Sequence, residues 1–298
     1  MMRRSLPVFL LICLGGVVLF AFDWPLEQIV MTSTFGEHRG DHFHAGIDLG
    51  GGEQSIFPIS PGELVFSYRE GEDFSSLPVG LGNFIVLQHQ GGIRSLYAHL
   101  AEGSLDPTRR LYDRSQPLGV VGSSGYSSGK HLHLTIIDTE MDTIINPLLL
   151  LPPLLDAQAP VIKDVSIRAG QDLIGLEDGM IVNRAEVEVF ATIYDLREDI
   201  SFLWKLAPYK VFLSQDGREI SNLIFDSLVS IQTAGQGLGA RQLVLINTER
   251  EFSRLYEAPW LLRLGKINLV PGETALTVFA ADFAGNESSK EYALTVLE

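Results

Sequence analysis

His131-Leu132-His133-Leu134-Thr135-Ile136-Ile137 is the stretch on which the reading of this chain turns. Its apolar, β-branched run favours a strand, and residues two apart on a strand point to one face. Both imidazoles therefore face one cavity, where one can bind a metal while the other handles protons. Two upstream stretches answer it, Phe43-His44-Ala45-Gly46-Ile47-Asp48 and Tyr97-Ala98-His99-Leu100. A catalytic zinc site takes three protein ligands of histidine and carboxylate type and keeps a fourth position open. His44, Asp48 and one histidine of the 131/133 pair supply that set. Gly46 and the run Gly50-Gly51-Gly52 put His44 and Asp48 on a turn rather than a long helix. The helical H-E-x-x-H arrangement is absent, which excludes that class of metallopeptidase.

Further motifs keep the same order along the chain: Phe35-Gly36, His44-x-x-x-Asp48, Tyr97-Ala98-His99-Leu100, Gly122-Ser123-Ser124-Gly125 and Gly129-Lys130-His131-Leu132-His133. In this the chain resembles the lysostaphin/LytM-type peptidoglycan endopeptidases, over roughly residues 29–151. The resemblance implies an antiparallel β-sheet metallopeptidase domain of the duplicated-hybrid, lysostaphin-like kind. It also implies zinc (Zn2+) held by His44, Asp48 and His133, with His99 and His131 catalytic. The chain departs from the family in having Lys130 where Pro is frequent, Leu134-Thr135 where an aromatic-acidic pair is frequent, and Glu37-His38-Arg39 where Tyr-Arg is frequent. None of these changes removes a ligand. The implied reaction is metal-assisted peptide hydrolysis on peptidoglycan peptides, with His131 moving the proton and His99 serving the oxyanion or orienting the water, the sequence leaving open which of the two is the main base.

Around the motifs the texture is β. Residues 62–68, 83–89 and 93–99 are short runs rich in apolar, β-branched and aromatic residues, and Gln90-Gly91-Gly92 turns the last two into a hairpin. His99 thus arrives at a strand end. Residues 69–82 form a long acidic loop, expected to wall a substrate groove or to be a plain surface loop. Residues 122–129 are a second glycine-rich loop, but Ser124 and His131 stand where a phosphate cradle needs Gly and Ser or Thr. Among the remaining histidines, His89 is expected to be exposed or structural, and His42 to be solvated or a donor behind the site.

The formal charge of -15 argues against nucleic acid, which is bound by clustered Lys and Arg. Membrane association has to come from the amino terminus: Met1-Met2-Arg3-Arg4 is a basic start, residues 6–20 are apolar, and Ala21 is a small residue suited to cleavage. Residues 1–21 are read as an export signal, the alternative being an uncleaved anchor, and either places the rest outside the cytoplasm, in the periplasm or envelope. Cys13, the single cysteine, lies within that segment. The mature chain then has no thiol chemistry and no disulfide.

Residues 22–156 are taken as the metallopeptidase domain and residues 157–298 as a second domain, with Pro152-Pro153 in a semi-rigid spacer holding the two apart. Beyond the spacer seven runs read as strands: 161–168, 185–194, 209–214, 218–225, 241–246, 275–281 and 292–297. With turns at Gln215-Asp216-Gly217-Arg218 and Phe283-Ala284-Gly285-Asn286, the pattern suggests an immunoglobulin-like β-sandwich. It is expected to be an accessory module that positions the enzyme on the wall or on a protein partner, or partly covers the groove, so that a chain ending near Asp156 keeps its zinc. Two functions are weighed: an exported zinc endopeptidase, and a non-catalytic wall-binding or regulatory protein that activates a partner hydrolase. The intact ligand set favours the first.

Overall fold

Leu132–Asp138 is the strand around which the first half is assembled, and its alternation fixes which side chains face where. Leu132, Leu134 and Ile136 are fully buried on one face, which leaves His133 and Thr135 on the other. Ile93–Leu100 pairs antiparallel along one edge and Ile47–Gly50 along the other. The register sets Asp48 opposite His133 and His133 opposite Ala98, so these side chains share a face. Asn83–Gln88 and Gly62–Tyr68 continue the sheet beyond Ile93–Leu100, while Val30–Ser33 closes the other side against Ile47–Gly50. This is the antiparallel, mainly β architecture expected.

The computed structural model describes residues 21–72, 80–106, 108–200, 204–232 and 241–297. All but Ala21 of the proposed export signal lies outside them, as do residues 73–79 of the acidic loop. Among the described residues no helix is long and apolar enough to cross a membrane.

The second half contains two five-stranded sheets packed on each other, a β-sandwich. Six of the seven expected strands lie in it. Lys210–Gln215 and Arg218–Ile224 form a hairpin whose turn residues Asp216 and Gly217 both have positive φ, 49° and 75°. That is the left-handed pair a two-residue turn needs to match strand twist. Asp282 closes the last hairpin by accepting from the backbone N–H of Gly285 (2.7 Å) and Asn286 (2.8 Å).

The seventh expected strand is found elsewhere. Arg241–Leu245 pairs with Ser227–Gln232, which pairs with Thr143–Ile145 of the first half, so this hairpin extends the metallopeptidase sheet. Together with Arg250–Glu251 it brings that sheet to 11 strands. One cluster of buried residues runs from Phe22 to Val296 through both halves.

The spacer expectation is therefore corrected. Residues 152–160 form neither helix nor strand, in keeping with their prolines, but they do not hold the halves apart. Leu151 is buried, Leu154 packs against the common core, and the Trp24 indole donates to the Pro152 carbonyl (3.1 Å). Burying a leucine stabilises by about 1.5–3 kcal/mol, enough to bring a stiff segment down onto the surface it crosses.

Candidate metal centre

Asp48 stands on the strand Ile47–Gly50 and His44 in the irregular segment just before it, not together on one turn as expected, and Gly46 between them lets the chain lie against the third ligand. A Cβ at Gly46 would stand 2.4 Å from the Leu134 carbonyl and 2.9 Å from the His133 ring. Backbone and imidazole occupy the space of a side chain. Within this packing His44 Nε2 is 3.0 Å from Asp48 Oδ1 and 3.0 Å from His133 Nδ1, and His133 Nδ1 is 2.9 Å from Asp48 Oδ1. All three residues are buried.

The surrounding bonds decide which ring nitrogens carry hydrogen. The Thr34 carbonyl, 2.8 Å from His44 Nδ1, can only accept, so Nδ1 donates to it and Nε2 presents a lone pair. Thr135 gives its hydroxyl hydrogen to the Ala45 carbonyl (2.9 Å), so its oxygen accepts from His133 Nε2 (2.9 Å) and His133 Nδ1 presents a lone pair. Two imidazole lone pairs and a carboxylate oxygen thus converge with no hydrogen between them. Mutual repulsion makes that arrangement costly unless a cation sits among them. Ligand atoms about 2.0–2.1 Å from a tetrahedral zinc stand roughly 3.3–3.4 Å apart, so an outward shift of a few tenths of an ångström seats one. The donor set fits zinc.

Electrostatics point the same way. Burial holds His133 neutral, its pKa brought down to about 4, as a ligand must be. Asp48 offers one carboxylate oxygen, Oδ1, to the same point. Its other oxygen, Oδ2, accepts from Arg39 Nη2 at 2.6 Å, which leaves Oδ1 for the cavity.

Beside this trio stand the other two expected residues. The His131 ring lies with its Nε2 3.8 Å from Asp48 Oδ1 and its centroid 4.7 Å from that of His99. His99 is 6.0 Å from His133, centroid to centroid. Both rings donate through Nδ1 to backbone carbonyls, His131 to Gly129 (2.9 Å) and His99 to Ser124 (2.9 Å), so both present a basic Nε2. His99 has φ 64°, a left-handed backbone that a histidine adopts at a cost. The strain sits where its strand carries an extra residue against Asn83–Gln88, with Asn83 opposite Leu100 but Ile85 opposite Tyr97. Burial lowers the pKa of His99.

The loops expected to flank the site are tied together at their described ends. Tyr126 donates its N–H to the Gly80 carbonyl (2.8 Å) and Gly125 donates to Glu70 Oε2 (3.2 Å). Gly82 and Gly125 approach so closely that a Cβ on Gly125 would lie 2.3 Å from the Gly82 nitrogen. Tyr126 remains largely exposed above this contact.

Of the other histidines, His89 is buried and structural, bonded through Nδ1 to the Pro61 carbonyl and through Nε2 to the Ser95 hydroxyl. His42 is exposed beside Asp41. His38 stacks on Phe252 and Tyr256 rather than joining the site. The sequence reading missed Ser33, Glu37, Arg39 and Thr135, which hold the ligands from behind. Arg39 and Glu37 lie in the very stretch where the chain departs from its relatives, and Thr135 is two residues from His133.

Residues 42–147 match the sequence profile of Peptidase family M23, and a separate family profile matches residues 159–297. Similar curated proteins are the DD-carboxypeptidases/endopeptidases Mpg of Neisseria meningitidis serogroup B and Neisseria gonorrhoeae. Each is 31% identical over 115 residues, covering 37% of this chain and 24% of the relative. The chain thus spans about a quarter of the length of the curated relatives it matches. Among solved structures it is similar to the catalytic domain of the antimicrobial peptidase lysostaphin from Staphylococcus simulans (25% identity, 37% of this chain, 81% of that chain, TM-score 0.32). It is also similar to a zinc-containing peptidase from Vibrio cholerae (24% identity, 39% of this chain, 36% of that chain, TM-score 0.33). The segment that carries the site, residues 42–147, is a Peptidase family M23 domain.

Proposed function

We propose that this chain is an exported zinc endopeptidase that hydrolyses peptide bonds in peptidoglycan stem peptides or cross-bridges. The observation that carries the reading is the convergence of three hydrogen-free ligand atoms, His44 Nε2, Asp48 Oδ1 and His133 Nδ1, within 3.0 Å of one another. The substrate class is supported by the DD-carboxypeptidases/endopeptidases that the chain is similar to and by its resemblance to peptidoglycan endopeptidases, and export by the leader read over residues 1–21.

A zinc ion in that position supplies a Lewis acid for the scissile carbonyl and brings the pKa of water down to about 7. The chain's own part is positioning and proton transfer. His131 Nε2, free of hydrogen and close to the ligand trio, takes the proton of the attacking water and delivers it to the leaving amine. The geometry alters the part expected of His99. Its Nδ1–H is committed to the Ser124 carbonyl, so Nε2 donates to an oxyanion only after it has itself been protonated. His99 therefore serves either as a second proton acceptor or, charged, as the oxyanion donor.

Digestion of purified peptidoglycan with the full chain tests the reading. New amino termini in the released muropeptides, suppressed by a chelator and restored by zinc, are expected. Intact wall peptides after prolonged incubation with the zinc-loaded protein would favour the alternative, a wall-binding regulator of a partner hydrolase.

A further inference from the structure

His133 is oriented from within its own sheet, through Thr135 and the Ala45 carbonyl. His44 and Asp48 are not. The carbonyl that holds His44 Nδ1 belongs to Thr34, and the group that holds Asp48 Oδ2 is Arg39, which also donates to Ser33 Oγ (2.6 Å). Ser33 and Thr34 are in turn fixed by the buried Glu37. Its carboxylate accepts from the Ser33 hydroxyl, the Thr34 N–H (2.7 Å) and the Thr34 hydroxyl (3.0 Å). Residues 33–39 are thus one hydrogen-bonded turn on which two of the three ligands depend.

That turn is held by the second half of the chain. Ala207 donates its N–H to the Thr34 hydroxyl oxygen (2.9 Å) and to Glu37 Oε1 (3.3 Å). The buried Tyr256 hydroxyl donates to the Gly36 carbonyl (2.8 Å), and the Trp204 indole donates to the Thr32 carbonyl. The Phe225 ring fills the space over Gly36, where a Cβ would lie 2.3 Å from it. Phe252 and Tyr256 pack edge-on against Phe43, next to the first ligand, with centroids 5.4 and 6.1 Å away. Three separate segments of the second half therefore meet one turn of the first, with a buried carboxylate at the centre.

Given the zinc reading above, on which this rests, we propose that the second half is a working part of the metal centre: through Ala207, Tyr256 and Phe225 it positions the turn that orients His44 and Asp48. These are positioning residues, two bonded steps from the ligand atoms. Removing groups that orient metal ligands costs typically 10–100-fold in metal affinity. The expectation that a chain ending near Asp156 keeps its zinc is replaced by its opposite. Such a chain loses the donors and rings that hold residues 32–37.

The test uses the full chain. Thr34→Val removes the hydroxyl that meets Ala207, Tyr256→Phe removes the bond to Gly36, and Thr34→Ser keeps the hydroxyl as a rescue. Zinc affinity is read by competition with a chromogenic chelator, and ligand geometry from the visible spectrum of the cobalt-substituted protein. The double variant Thr34→Val/Tyr256→Phe should bind zinc about 10–100-fold more weakly with a changed cobalt spectrum, and Thr34→Ser should stay within about twofold of the wild type. Gln215→Ala, which breaks bonds to Asn268 and Thr274 elsewhere in the sandwich, controls for general loss of stability and should leave zinc affinity unchanged. Folded single and double variants with wild-type affinity and spectrum overturn the inference while the zinc reading stands, as does equal weakening by Gln215→Ala. A wild-type chain that binds no zinc removes both.

Discussion

His44, Asp48 and His133 lie together on one face of the first sheet, and Asp156, Asp195 and Asp282 lie together where the two halves meet; in each trio the ligand atoms fall within 4.8 Å of one another. By residue type and proximity both look able to hold a cation. They differ in what already occupies their lone pairs. Asp282 accepts from Gly285, Asn286 and the Asn286 side chain, and Asp156 accepts from Gln158 and from Arg197. Asp195 accepts from the Leu196 N–H and, driven first by burial and then by the charge of Asp282, has its pKa raised to about 7. The acidic trio lines a cavity of about 310 Å³ but settles its charge with N–H donors, a guanidinium and a proton. In the histidine trio every outward nitrogen is hydrogen-bonded away, so only lone pairs face inward. The difference teaches that the direction of the lone pairs, fixed by groups such as Thr34 and Thr135, makes a metal site.

The comparison breaks most visibly at His133. His133→Ala should abolish zinc binding and bring peptide hydrolysis to background, whereas Asp156→Asn should leave both intact. Zinc retained by folded His133→Ala would show that the convergent atoms are not the ligands. His131→Ala and His99→Ala separate binding from proton transfer. Each should keep about one zinc while kcat falls about 100- to 10,000-fold. Loss of metal in His131→Ala would move the ligand assignment to the other histidine of the pair.

The acidic trio makes a smaller, pH-dependent prediction. Asp195 has a folded pKa of about 7 against 3.8 when unfolded, so between these values the folded state binds more protons. Stability therefore falls as pH rises from about 4 to 8, by up to roughly 4 kcal/mol from this one group. Urea unfolding should show it in the difference between wild type and Asp195→Asn, which should shift in the variant's favour as pH rises from about 4 to 8, because histidines with lowered pKa, such as His133 and His99, slope the other way in both proteins. A difference that does not change with pH would mean that Asp195 is ionised in place. The smallest expected effect is that of calcium. Millimolar Ca2+ added to the zinc-loaded chain should move Tm by less than about 1 °C, because ligand binding stabilises only where the site is available to the ion. A rise of several degrees that Asp195→Asn abolishes would make the acidic trio a second cation site.

The first half was legible because strand alternation and ligand chemistry coincide in it. The spacing of His131 and His133 put them beside one cavity, and Gly46 marked the close approach of Leu134, although the glycines did not show that Asp48 stands on a strand. What was not legible depends on partners far away in sequence. Alternation marks Arg241–Leu245 as a strand but does not name its neighbour, and the neighbour lies in a hairpin that joins the other domain's sheet. Glu37 reads as one acidic residue among many until Ala207 is brought to it from 170 positions away. The strain at His99 comes from a bulge whose cause is the register of two strands, which no local pattern announces. Pro152 and Pro153 did mark a segment that is neither helix nor strand, but Leu151, Leu154 and Trp24 decide where it lies.

The most direct test of the central claim is the zinc content of the purified full chain after dialysis against metal-free buffer. Three inward lone pairs held by Thr34, Thr135 and Arg39 predict about one zinc per chain, removed only by a strong chelator and restored on adding the metal back. A zinc content below about a tenth per chain after metal-replete expression, with the protein folded, would contradict it.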